Sequence, residues 1–200
     1  MLAYVDALRS AGRTSDALES AKEFSISHPE SERVHRALLL MYGERGQRDE
    51  ALQAFDQLGR LESVVASDLV GAAVLLQTED AGLAETYYQR ALELEPDNFE
   101  AHANLAIILI ETGRWGAARE HLAQALDISP GSVPVLLNLG ILERRAGRPR
   151  VAVEQFKNVL RLEPSNRLAR KILAEMRERV GTEDGGALRR PGSSPESTIR

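Results

Sequence analysis

The sequence predicts an all-α protein assembled from about five helical hairpins laid side by side and closed by one further helix. Three observations predict it. The chain repeats itself: Leu105 and Leu139, Ala106 and Gly140, Gly113 and Gly147, Ala118 and Ala152, Leu122 and Phe156, and Pro130 and Pro164 each stand 34 residues apart. A fixed period of this size marks a stacked array, in which each unit buries its apolar face only against its neighbours. Within a period the apolar residues fall at helical spacing, first at Leu105, Ile108 and Leu109, then at Ala118, Leu122, Ala125 and Leu126. Finally, apolar residues make up 43% of the 200 residues but aromatic ones only 4%, so Leu, Ala, Ile and Val must build the core.

The elements follow in order. The first unit, residues 1–31, keeps Val5, Leu8, Gly12, Ala17 and Pro29, but its first helix would normally begin before Met1, so the chain reads as starting inside a repeat. The second, 32–65, shows Leu38, Leu39, Tyr42, Gly46, Ala51 and Phe55 in register, with Ser63 where other units place proline. The third, 66–98, is one residue short; the deletion is expected between its helices near Asp80 to Gly82, with Gly82 serving the turn. The fourth, 99–132, and fifth, 133–166, match throughout. Gly113 suits the left-handed residue that ends a helix, and Pro130 forbids continuation. Asp97-Asn98 and Ser132 are expected to cap the helices that follow them, and Pro149 to sit in the first turn of its helix. Small residues recur at Ala73, Ala106 and Gly140 on first helices and at Ala51, Ala84, Ala118 and Ala152 on second helices, where axes must cross closely. A capping helix is expected over 167–180, with Leu168, Ile172, Leu173 and Met176 on its apolar stripe and Gly181 at its end. Residues 181–200, rich in Gly, Pro and Ser, read as a disordered tail or linker.

Charge and composition remove several functions. A net charge of −5 opposes a phosphate-driven nucleic-acid binder. No cysteine is present, which excludes disulfides and thiolate metal sites. No apolar run is longer than Leu105 to Ile110, which is far too short to span a bilayer. The pattern at Met1 is helical at once, without a signal segment. The chain reads as soluble, with a cytoplasmic location favoured and a periplasmic one open if an export signal preceded Met1. No cofactor, metal or catalytic constellation emerges. His28, His35, His102 and His121 show no metal-ligand spacing, and His35 and His102 occupy matching slots as packing residues. Glu93, Glu95 and Asp97 read as a solvated edge.

These residues resemble the tetratricopeptide repeat: a small residue midway along helix one, Gly at the turn, Ala early in helix two, an aromatic or Leu a turn later, and Pro at the end. The resemblance covers about Met1 to Arg179. It implies an α-solenoid, a right-handed superhelix whose first helices line a concave groove, and a non-enzymatic scaffold that binds a protein or peptide. Some relatives grip a carboxylate with Lys and Asn from successive first helices. Here Asn104 and Asn138 fill one such slot, but Val70, Ala103, Leu168 and Ile172 stand where the cations belong, which argues against a chaperone-tail receptor. Asn104 and Asn138 would equally be two rungs of a backbone-holding ladder, or amides that fix neighbouring helices.

The groove-facing positions are Val70 and Val74 in the third unit; Ala103, Asn104, Ile107, Ile110 and Glu111 in the fourth; and Leu137, Asn138, Ile141, Arg144 and Arg145 in the fifth. The second unit offers Arg33, Arg36, Leu40 and Glu44. An aliphatic centre with charged edges suits an extended peptide or an amphipathic helix within a larger assembly. Two other readings stay open: tight curvature buries these side chains, or further chain covers them. Beside the scaffold stand two alternatives, the substrate-selecting array of a larger enzyme such as a peptide O-glycosyltransferase, and self-association through the shortened first unit. The Ala-, Arg- and Leu-rich repeats lean toward a bacterial source.

Overall fold

Helices alternate with short turns along the whole of the described chain. The structure is a computed structural model and describes residues 2–186, with side chains for residues 3–176. Eleven α-helices are present among the described residues: α1 (Leu2–Ser10), α2 (Thr14–Ser27), α3 (Glu32–Glu44), α4 (Arg48–Arg60), α5 (Ala66–Leu76), α6 (Ala81–Leu94), α7 (Phe99–Glu111), α8 (Trp115–Ile128), α9 (Val133–Arg145), α10 (Pro149–Leu162) and α11 (Arg167–Gly186). They pair as hairpins, and no strand occurs among the described residues, which is the all-α solenoid class. The chain divides into two compact units, residues 1–130 and 131–200.

In the first unit four hairpins stack in sequence order. Each second helix packs on the next first helix, α2 on α3, α4 on α5 and α6 on α7. The first helices α3, α5 and α7 also touch one another in succession. Burial follows the period. Ala17, Ala51, Ala84 and Ala118 are all fully buried, as are Ala73 and Ala106 opposite them. A methyl is what the crossing admits, and a larger group there would force the axes apart. Around these crossings lie Leu58, Leu69, Tyr88, Leu105 and Leu122, all inaccessible to solvent.

Turn chemistry sets the hairpins. Gly12, Gly46 and Gly113 hold φ of 73°, 68° and 76°, the left-handed region that closes a helix end. The third hairpin does without. Gly82 lies inside α6 and does not serve the turn, contrary to the sequence expectation. Instead α5 stops at Leu76, whose carbonyl accepts from the N–H of both Glu79 and Asp80 at 2.9 and 2.8 Å, and Asp80 caps α6 by accepting from Leu83 N–H at 2.9 Å. A turn shorter by one residue closes without a left-handed position. Asn98 caps α7 as expected, accepting from Ala101 N–H at 2.9 Å.

The second unit contains α9, α10 and α11, with α10 packed between the other two. Pro149 stands in the first turn of α10. Ser132 occupies the N-cap position of α9, but its side chain makes no capping hydrogen bond. On α11, Ala169, Ile172, Leu173 and Met176 are buried, whereas Leu168, expected on the apolar stripe, is 47% exposed. Ala169 takes the place read for it. The helix runs on to Gly186, past the stop expected at Gly181; a glycine costs an exposed helix about 1 kcal/mol and does not forbid it. The rest of the expected tail lies outside the described residues.

Gly140 is the tightest crossing. A Cβ built there would meet the Phe156 ring at 2.8 Å, and Phe156 is fully buried with nowhere to turn. Gly140→Ala should therefore destabilise by about 1–3 kcal/mol through overpacking, although the same change in an open helix stabilises by about 1 kcal/mol. A urea midpoint for the variant at or above wild type would show that the ring yields.

Candidate functional site

The surface that the packing leaves open on the first helices has a regular plan. On α7 the core takes Ala101, His102, Leu105, Ala106, Ile108 and Leu109, so Glu100, Ala103, Asn104, Ile107 and Glu111 remain partly or fully exposed. On α5 and the turn that follows it the same slots hold Ser67, Val70, Gly71, Val74 and Thr78, and on α3 they hold Arg33, Arg36, Ala37, Leu40 and Glu44. Because α3, α5 and α7 adjoin, these slots make one continuous face in the first unit. Its centre is a ridge with one aliphatic side chain in each of the second, third and fourth hairpins: Leu40 at 50% exposure, Val74 at 44%, and Ile107, half-buried. Val70 and Ala103 flank it, half-buried. In the second unit α9 presents its own open slots, with Leu137, Asn138 and Ile141 half-buried and Arg144 exposed; Arg144 lies 3.7 Å from Glu175 of α11.

Two of the sequence-derived residues have other work. Ile110 is 5% exposed and belongs to the core rather than to the open face. A step of three residues turns about 60° round a helix, which carries Ile110 from the line of Ile107 to the buried side. Asn104 hydrogen-bonds the hydroxyl of the fully buried Tyr88, which also donates to Gln77 Oε1 at 3.2 Å. Burial pushes that hydroxyl up to about 12, so it stays a protonated donor. Asn104, half-buried, thus also bears on helix packing, one of the readings that the sequence leaves open.

Arg36, read as a groove cation, is a clamp. Its Nε donates to the Asp68 carboxylate at 2.9 Å and its Nη2 to the Ser63 carbonyl. Asp68 is buried at the start of α5 and accepts from the Val65 N–H at 3.1 Å. Ser63 is the residue that replaces proline, and the loop there carries Glu62 at φ 53°. Where a proline ring would stiffen the chain, a guanidinium from α3 holds it. Other arginines link successive hairpins: Arg9 to Glu44 at 2.9 Å, Arg48 to Glu79, and Arg114 to both oxygens of Glu85 at 2.6 and 2.5 Å. The Arg114 hydrogen bonds hold the Glu85 carboxyl below its usual range.

The histidines pack as their slots implied. His35 Nε2 donates to the Pro29 carbonyl at 2.8 Å, and His102 Nε2 to the Pro96 carbonyl at 2.9 Å. Sequence reading missed what His102 does next: its Nδ1 meets His121 Nδ1 at 2.8 Å, across the α7–α8 crossing. With His102 Nε2 donating, its Nδ1 accepts and His121 Nδ1 donates. Among the described residues no group of three His, Cys, Asp or Glu could hold a metal ion, and no helix is long and apolar enough to cross a membrane.

Stacked hairpins with a continuous open face define a helical-repeat interaction scaffold. A tetratricopeptide-repeat family model matches residues 75–132 and a second matches 137–187. The model described as a bacterial transcriptional activator domain matches residues 1–64. The chain belongs to the tetratricopeptide-repeat family. Sequence comparison with curated proteins gives no match. Similar solved structures include YrrB, described as a TPR protein with an unusual peptide-binding site, at 20% identity over 86% of this chain and 89% of that chain, with TM-score 0.74. MamA from Desulfovibrio magneticus RS-1 is 18% identical over 82% of this chain and 93% of its own, with TM-score 0.74. PilW, described as a widely conserved type IV pilus biogenesis factor, is 20% identical over 78% and 73%, with TM-score 0.69.

The histidine pair gives a pH signature. Burial, then the neighbouring His102, depress the His121 pKa below its ordinary value, while Glu120 opposes them. As pH falls through the ordinary histidine range near 6.5, the unfolded chain takes up a proton that the folded chain refuses, so stability is lost. Denaturant midpoints should stay level from about pH 8 to 7 and drop toward about pH 5, above the carboxylate range. His121→Gln should flatten that drop; an unchanged slope would remove His121 as its source.

Proposed function

We propose that the chain captures an extended peptide or an amphipathic helix on the open face of its first helices, as one component of a larger assembly. The carrying observation is the ridge of Leu40, Val74 and Ile107, one aliphatic side chain from each of three successive hairpins, exposed at Leu40 and Val74 and half-buried at Ile107. A contiguous exposed apolar face of this kind commonly marks a binding surface. Side chains of an incoming segment would settle between successive ridge residues, as recognition of repeated pockets requires. Val70 and Ala103 support the same face. In the second unit Leu137, Asn138, Ile141 and Arg144 are proposed as a contact surface of their own on α9. The descriptions of YrrB and PilW, one naming a peptide-binding site and the other a role in pilus biogenesis, support a binding role on this fold.

A second reading is favoured by the match of residues 1–64 to the bacterial transcriptional activator domain, under which the scaffold serves a transcription-activating protein. The reading as substrate selector for an enzyme such as a peptide O-glycosyltransferase requires a catalytic domain in the same reading frame, and self-association requires a mass that rises with concentration.

Leu40→Asp combined with Val74→Asp tests the main proposal. Both side chains are about half exposed, so stability should change by under about 0.5 kcal/mol per site. Selection from a random peptide display library should enrich binders on the wild type and fail on the double variant. Enrichment of the same peptides by both proteins would show that this face is not the site.

A further inference from the structure

We infer that the open face of the first helices in residues 1–130 selects a cationic peptide segment, one carrying Lys or Arg beside its aliphatic anchors. The inference rests on the peptide-capture proposal and deepens it. Residues 1–130 hold 22 Asp and Glu against 11 Lys and Arg, whereas residues 131–200 hold 8 against 14. The small net charge of the whole chain hides this division. The field over the first unit is therefore strongly negative, and such a field draws cations toward it.

The open face shares that sign. Its cations are mostly spent: Arg36 is bound to Asp68 and Glu32, and Arg9 to Glu44. Among the described residues, three exposed acids on first helices have no ion pair, Asp6 on α1 and Glu100 and Glu111 on α7, against one exposed unpaired cation, Arg33. Asp6 stands one period before Leu40, in the slot of the aliphatic ridge itself. Glu111 is the more telling. It ends α7, where the helix dipole disfavours a carboxylate, and among the described residues no cation pairs with it. Glu44 occupies the same slot on α3 and does have a partner in Arg9. A carboxylate placed against the dipole without compensation is a local cost that folding does not explain, and such departures gather at functional sites. A bound Lys or Arg would supply the missing cation, with opposite charges directing approach and excluding acidic competitors.

The test uses the full chain and three fluorescently labelled synthetic peptides of equal length. Each carries Leu at every third position, with the intervening residues Lys and Ser, Ser alone, or Glu and Ser. Anisotropy should show the Lys peptide binding roughly tenfold or more tightly than the Ser peptide at low salt, with the gap closing toward about 1 M salt. The Glu peptide should bind weakest. Glu100→Lys with Glu111→Lys should erase the advantage, whereas Glu23→Lys with Glu93→Lys, the same charge change on second helices, should keep it. Equal binding of all three peptides overturns the charge preference and leaves the capture proposal standing. Equal loss in both double variants overturns the assignment to this face, since the field of the whole unit would then suffice. Capture of none of the peptides overturns the capture proposal and this inference with it.

Discussion

Where the two helices of a hairpin cross, the chain has room for a methyl group and little more. Ala17, Ala51, Ala84 and Ala118 are sealed at those points in the first unit, and Gly140 faces Phe156 in the second. Close crossing brings the larger residues on either side, such as Leu105 and Leu122, into contact along both helices. Most of the burial comes from there, because dense packing at short range is where dispersion and water exclusion act together. It also decides what is left over. A first helix that buries one side against its partner and another against its neighbours keeps a narrow strip for solvent, and that strip recurs with the period. The face carrying Leu40, Val74 and Ile107 is thus a by-product of how the core closes, and the identity of its residues is free to answer to something else.

Polar groups at the hairpin junctions follow the same economy. Each junction in the first unit has an arginine reaching across it, and each arginine reaches a carboxylate or a carbonyl at the end of a neighbouring element. A guanidinium suits this task because its planar fork serves two acceptors at once. Surface members such as Arg9 and Glu44 add little individually. Arg36 differs, since Asp68 is buried and the loop at Ser63 lacks the stiffness of proline.

The period made the hairpins legible, because alanines and glycines at fixed offsets report a steric limit that no neighbour can relax. Helix starts at Glu32, Ala66, Phe99, Val133 and Arg167 follow from it. The ridge residues were legible for the same reason. Less so were features that depend on a single turn or a single rotamer. Gly82 looked like a turn residue, but losing one residue changed which backbone groups closed the turn. Ser132 has the right chemistry for a cap and does not use it. Ile110 lies one step round the helix from where Ile107 points. Asn104 reads as a groove amide until Tyr88 is seen to claim it. His102 and His121 are 19 residues apart, and only the angle at which α7 meets α8 joins them. The opposed charges of the two halves were present in the sequence throughout, concealed by their sum.

The pairing of Arg36 with Asp68 bears on how such a chain can drift. Losing either residue first strands the other, and a carboxylate shut away from water without its cation is among the costlier intermediates a small domain can meet. Replacement by an apolar pair of similar volume could be neutral, yet the route to it crosses that intermediate. Descendants of this chain should therefore keep both residues or have neither, and a lineage with proline at position 63 is the one most free to abandon them.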